Sequence, residues 1–377
     1  MGALRAFPGL RLAEVVDSPA AAPTAGQFDT WKTALREQVL SRVVAFVTAR
    51  CADELGACGV DVAGNILSEF VDGGKCLRST FMYLGWLCGA PGSDAALSAA
   101  ASLELLHSFA LLQDDVMDDS ASRRGRPAAH LQFADWHHRR GLSGSSRRFG
   151  ESAATLLGDL CLIWAEQMLR DSGLADSHLA RVWPRYDAMR TELAVGQFAD
   201  LAIDVRDLPT LESVLQVARL KSGNYTVRRP LEIGAAMAGC TEEVLIALGG
   251  YGSAIGEAFQ LRDDILGIFG SPEQTGKPNS GDLVECKATS VVVAAHQLAD
   301  TSTRRQLQQL MTCETLDDAA LEHWRSLIVT TGAVQLIEDL IADRVEQARK
   351  ALDRGMFAHP LTAALIDMAG LCTQRAA

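Results

Sequence analysis

The chain has 377 residues, 48% of them hydrophobic and 22% charged, which suffices for a large buried core and argues against wholesale disorder. Its formal net charge is −12, which excludes non-specific nucleic-acid binding, because that needs a basic face. Any anionic ligand must be gripped by lysines and arginines clustered locally against the global field.

Residues 1–27 carry Pro8, Pro19 and Pro23 in an Ala-rich stretch and read as a flexible leader. No sustained apolar core precedes Pro8, so a secretory signal is not expected, and the sixth position lacks the Ser or Thr of a myristoylation site. No uninterrupted apolar run reaches the roughly 18 residues that span a bilayer. Nine scattered cysteines form no CxxC pair and no zinc spacing with histidine. Together these features predict a soluble, cytoplasmic protein with reduced, mostly buried thiols.

From Phe28 onward apolar residues recur at i, i+3, i+4 and i+7. The segments are 29–57, 76–89, 94–119, 151–171, 176–203, 211–223, 227–239, 242–269, 287–299, 303–313, 317–330, 333–353 and 361–374. Alternating β patterns are absent, so the expected fold is all-α. Breaks fall at Asp72-Gly73-Gly74, at Ala90-Pro91-Gly92-Ser93 with Ser93 or Asp94 as N-cap, at the loop opening on Gly141, and over 270–282.

Two acidic blocks stand out. In the first, Asp114, Asp115, Asp118 and Asp119 follow an apolar run; Asp114 and Asp118, four apart, share a helix face. Like charges so placed repel, unless a cation offsets them, and hard carboxylate oxygens suit Mg²⁺. The alternative is a solvated acidic helix end. In the second block, Gln260, Asp263 and Asp264 end another apolar helix 149 residues further on. Two such clusters on core helices can face one another across a bundle.

Cations flank both blocks. Lys75 and Arg78, three apart and expected on one helical face, follow the Gly73-Gly74 pair, whose free N–H groups also attract anions. Arg123, Arg124 and Arg126 trail the first block; Lys221 precedes Gly223; Lys277 and Lys287 follow the second, Lys287 being expected to open a helix. Each alone reads as a solvated charge. Arg suits bidentate phosphate contact and Lys a point-charge contact.

GGKCLRS, ELLHSFALLQDDVMDDSASRRGRP, GQFADL, KSGNYT, FQLRDDILGIFG, TGKP and ECK stand in the order and spacing of the all-trans polyprenyl diphosphate synthases, which the chain resembles over roughly 30–370. The resemblance is closest to bacterial geranylgeranyl diphosphate synthases. It implies one catalytic domain over 28–377, a helical bundle around a central cavity, usually a homodimer, condensing isopentenyl diphosphate with an allylic diphosphate. It implies Asp114 and Asp118 as ligands of two Mg²⁺ ions with Asp115 in support, and Asp263 as the ligand of a third with Asp264 close by. Lys75, Arg78, His107 and Arg124 resemble the isopentenyl diphosphate pocket. Arg123, Lys221 and Lys277 resemble the allylic diphosphate contacts, lined by Gln197, Asp200 and Gln260, and Lys287 matches a further basic position. Cys76 and Ser79 depart from the GGKRLRP pattern, and Gly267 stands where the second motif usually has its last aspartate.

The implied reaction is ionisation of the allylic C–O bond, attack by the isopentenyl double bond, and loss of a proton. Apolar walls shield the cation from water. Ala110 and Phe109 lie four and five residues before Asp114, about 6–7.5 Å deeper along the helix. In this family bulk there shortens the product, and one aromatic at the fifth position resembles C20-forming enzymes, so geranylgeranyl diphosphate is expected over farnesyl or geranyl diphosphate. A class I terpene cyclase would not need the second diphosphate pocket. A non-catalytic partner subunit of another synthase could dispense with the aspartates that this chain keeps.

Overall fold

The structure, a computed structural model, describes residues 22–23, 26–56, 59–204, 207–270, 281–313, 316–353 and 355–374. Most of the expected leader and Lys277, with the loop around it, lie outside these residues.

The described chain is almost wholly helical, as the periodicity predicts. α1 (Phe28–Arg50) buries Leu35, Val39, Val43 and Val47, a four-residue stripe, and runs on through a widened turn at Cys51–Leu55. α2 (Asp61–Val71) and α3 (Leu77–Leu87) lead to α4 (Asp94–Met117), whose N-cap Ser93 accepts a hydrogen bond from Ala96 N. A two-stranded hairpin, β1 (Ser122–Arg123) and β2 (Arg126–Pro127), precedes α5 (Ala129–Arg139), α6 (Ser146–Arg170) and α7 (Asp176–Leu201). α8 (Leu211–Ala218), a π-helical stretch (Arg219–Arg228) and α9 (Arg229–Ala238) form one continuous rod. Then come α10 (Glu242–Phe269), α11 (Gly281–Val284), α12 (Ser290–Leu298), α13 (Thr301–Met311), α14 (Asp318–Thr330), α15 (Ala333–Leu352) and α16 (His359–Thr373).

α2 and α5 are additions to the predicted segments. α2 contains Gly64, Asn65 and Ser68, poor helix formers, so its helicity comes from packing on α1. α5 buries Ala129, His130, Phe133 and His137, a stripe half made of histidine that hydropathy does not register. Ser145 caps α6, which therefore starts five residues before the predicted segment. The break expected between 223 and 227 is bridged by the wide turns of the π-helical stretch.

α4 packs between α3 and α6, and α10 between the π-helical stretch and α15. α4 and α10 are long and apolar enough to cross a membrane, yet 67% of each apolar window is buried against other helices. That degree of burial explains why these helices are more apolar than surface helices. Their C-terminal ends carry the two acidic blocks.

Candidate active site

Asp115 is buried at the end of α4, where its carboxylate receives Arg123 Nε at 3.0 Å and a closer contact from Arg123 Nη2. Arg123 Nη2 also lies 3.6 Å from Asp114 Oδ2. Asp114, less enclosed, faces Lys221 Nζ at 3.3 Å and accepts from Gln197 Nε2 at 3.4 Å. Lys221 donates to Asp200 Oδ2 at 2.6 Å. Asp118 caps α4 and takes Lys287 Nζ at 2.8 Å. Burial alone would raise the Asp114 pKa, but Lys221, Arg123 and Lys287 outweigh it and hold the carboxyl below its ordinary value. Burial likewise opposes the charges on Lys221 and Lys287, and the neighbouring carboxylates more than restore them.

Close backbone packing places Lys221. A Cβ on Gly196 of α7 would come within 2.4 Å of Lys221 N, so only glycine lets the π-helical stretch lie against α7. π-Helical widenings of this kind recur at functional sites.

The hairpin separates Arg123 from Arg124. Arg123 pairs with Arg126 across it, and the two turn residues, Arg124 and Gly125, have φ of 53° and 74°, the type I′ pattern. Arg123 thereby faces Asp114 and Asp115. Arg124 turns the other way, donates from Nη1 to Phe70 O at 2.9 Å and lies over the Gly73–Gly74 backbone. Arg36 of α1, which no sequence motif flags, donates from Nε to Gly74 O at 2.6 Å and adds a third cation beside Lys75.

Lys75 and Arg78 do not share a helix face as their spacing suggested. Cys76 adopts a left-handed φ of 48° and α3 begins only at Leu77. Lys75 borders a polar cavity, whereas the Arg78 guanidinium stacks 4.1 Å over Tyr225 and donates to Thr226 Oγ1 at 2.8 Å. His107 meets Tyr225 Oη through Nδ1 at 2.9 Å. Burial, then Arg78, Arg124 and Arg123, push its pKa well below the ordinary value, so the ring is neutral.

The second block divides its labour. Asp263 borders the polar cavity opposite Asp114. Asp264 is buried and accepts from Gln260 Nε2 at 2.7 Å, Ser290 N at 2.9 Å and Ser290 Oγ at 2.6 Å. Burial raises its pKa and those hydrogen bonds offset only part of the rise. It satisfies an orphan N–H of α12 and so braces the segment before it. Lys287 lies in that segment, three residues ahead of α12 rather than opening it.

The polar cavity, about 410 Å³, is bordered by Asp114, Asp200, Lys221, Asp263, Asp282 and Lys287. An apolar cavity of about 540 Å³ adjoins it, sharing Asp114 and Lys221, with Phe109, Ala110, Leu162 and Leu193 along its wall. Among the described residues no three acidic, histidine or cysteine side chains converge to hold an ion alone. One or two carboxylates from each side suit Mg²⁺, which completes its shell with water and substrate phosphates. Asp114 and Asp118 already stabilise positive charge, each facing an ammonium group, so the donor set fits such an ion.

The sequence model of the polyprenyl synthetase family matches residues 61–328. A geranylfarnesyl diphosphate synthase of Aeropyrum pernix is 32% identical over 298 residues, 78% of this chain and 87% of that one. A geranylgeranyl diphosphate synthase of Mycobacterium tuberculosis is 32% identical over 74% of this chain and 75% of its own. The crystal structure of geranylgeranyl pyrophosphate synthase from Corynebacterium glutamicum, complexed with isoprenyl diphosphate and magnesium, superposes with a TM-score of 0.86 at 33% identity. It covers 91% of this chain and 99% of that one.

Proposed function

Because the chain belongs to the polyprenyl synthetase family and is thus a prenyltransferase, we propose that it condenses isopentenyl diphosphate with allylic diphosphates to geranylgeranyl diphosphate, using Mg²⁺. The observation that carries this reading is the junction at Asp114 and Lys221, where a charged cavity opens directly onto an apolar one. A diphosphate and a hydrocarbon tail need that adjacency.

The allylic diphosphate sits between Asp114, Asp118 and Asp263, gripped by Arg123, Lys221, Lys277 and Lys287, with Gln197, Asp200 and Gln260 holding the partners in place. Magnesium, three ions in this reading, supplies the charge that stabilises the departing pyrophosphate. Lys75, Arg78, His107 and Arg124 hold isopentenyl diphosphate, with Arg36 behind Gly74. His107, held neutral, adds no second positive charge beside the developing allylic cation. The tertiary cation left by the new C–C bond loses a proton from its neighbouring carbon to the released pyrophosphate.

Product length follows from the wall. Phe109 and Ala110 border the apolar cavity, one bulky and one small residue, and two of the relatives described above are geranylgeranyl diphosphate synthases. The A. pernix relative makes C25 the second reading. Exposed Leu156 and Ile163, seven apart on α6, support a homodimer joined along that helix.

Incubating the protein alone with isopentenyl diphosphate, each of the C5, C10 and C15 allylic diphosphates and Mg²⁺, then sizing the products, tests the reading. C20 is expected to dominate. Turnover of an allylic diphosphate without incorporation of labelled isopentenyl diphosphate would instead indicate a cyclase.

A further inference from the structure

The second acidic block reads Asp263-Asp264-Ile-Leu-Gly267, ending in glycine where the family pattern has a carboxylate. The space above Gly267 is nevertheless taken. An ideal Cβ there would stand 1.9 Å from Asp282 Oδ2 and 2.6 Å from its Cγ. Asp282 belongs to α11, beyond the loop that follows α10. Its carbonyl accepts Lys287 N at 2.9 Å, so α11 folds back over the segment carrying that lysine. Gly267 is one helical turn past Asp263 and on the same face. Asp263, Gly267 and Asp282 border the same polar cavity.

We propose that Asp282 supplies from α11 the carboxylate that α10 lacks, giving a divalent cation at Asp263 its second anionic neighbour. It is a positioning residue, acting through the ion and its waters, and Gly267 is the vacancy that admits it. The inference rests on reading the cavity as a magnesium diphosphate site. The Asp282 carboxylate over Gly267 adds an oxygen donor to the cavity that Asp263 borders, which suits a hard divalent cation. A purely structural Asp282, serving only the first turn of α11, would affect folding and leave ion binding alone.

The test is Mn²⁺ binding to the full chain with saturating pyrophosphate, followed by electron paramagnetic resonance, with circular dichroism as the check on folding. The wild type is expected to bind Mn²⁺ in a pyrophosphate-dependent manner. Asp282→Asn should weaken the affected ion by about tenfold or more, as loss of an outer-shell partner does. Gly267→Ala, whose methyl evicts the carboxylate, should match that loss, and the two together should cost no more than either alone. Gly267→Asp with Asp282→Gly, returning the carboxylate to α10, should restore binding; it decides the matter if Asp282→Asn fails to fold. Unchanged Mn²⁺ binding in folded Asp282→Asn, or no restoration in the double variant, overturns the role of Asp282. No pyrophosphate-dependent binding in the wild type overturns the underlying reading of the site.

Discussion

Lys287 Nζ lies 2.8 Å from Asp118 Oδ2, joining positions 169 apart in sequence and standing where the acidic motif would receive a cation. Lys287 borders the polar cavity together with Lys221 and Asp114. If a magnesium diphosphate binds there as proposed, the lysine would exchange a carboxylate for a phosphate oxygen. A charge-assisted hydrogen bond contributes about 1.5–3 kcal/mol, so Lys287→Met should lower kcat/KM for the allylic diphosphate by about 10- to 150-fold. Steady-state kinetics against both substrates checks this; an equal loss for isopentenyl diphosphate would assign Lys287 to the other pocket.

Asp115 does different work from Asp114. Its carboxylate is enclosed and committed to Arg123, so Asp115→Ala leaves that guanidinium only its longer contact with Asp114 and should cost about 3 kcal/mol of stability, the low end for a broken buried pair. Asp114, with 22% of its side chain exposed, should lose turnover on replacement by alanine with a much smaller fall in stability. Urea unfolding of both variants is the comparison, and similar losses would make Asp115 an ordinary member of the metal set.

His107 should make stability depend on pH. Its folded pKa is depressed below the ordinary 6.5 by burial and by Arg78, Arg124 and Arg123. The unfolded chain therefore binds a proton that the folded one refuses, and the stability His107 contributes is present above pH 6.5 and lost as pH falls towards the folded value. Melting curves between pH 7.5 and pH 5 should show a shallower acid decline for His107→Gln than for wild type. Parallel declines would contradict the assignment.

Phe109→Ala removes a ring close in size to one isoprene unit from the wall of the apolar cavity. Product chromatography should show a shift from C20 towards C25. An unchanged product would move the chain-length determinant to another wall, such as Leu162 or Leu193.

The helical fold could be read from periodicity, a local pattern, and the residues that the motifs single out, Asp114, Lys221, Asp263 and Lys287, border one cavity, with Asp118 meeting Lys287. Other features depend on contacts between distant segments. Arg36 is one arginine on an amphipathic helix until Gly74 presents its carbonyl. Asp282 follows a loop and gains meaning only from the space over Gly267. The Lys75 and Arg78 pair failed as a helical face because Cys76 takes a left-handed conformation, which nothing in its side chain announces. α5 escaped notice because buried histidines look polar in a hydropathy pattern.

The type I′ turn at Arg124 and Gly125 has an evolutionary consequence. One peptide unit sends Arg123 to Asp114 and Asp115 and Arg124 to Phe70 O and the Gly73–Gly74 backbone, so an insertion or deletion there would disturb both contacts together. A β-branched residue at 124 would also resist the positive φ. Lineages descending from such a protein can hardly diversify through the hairpin. On the proposed reading they remain free to vary Phe109 and Ala110 along the apolar wall, so divergence among descendants should fall on product length and spare the reaction itself.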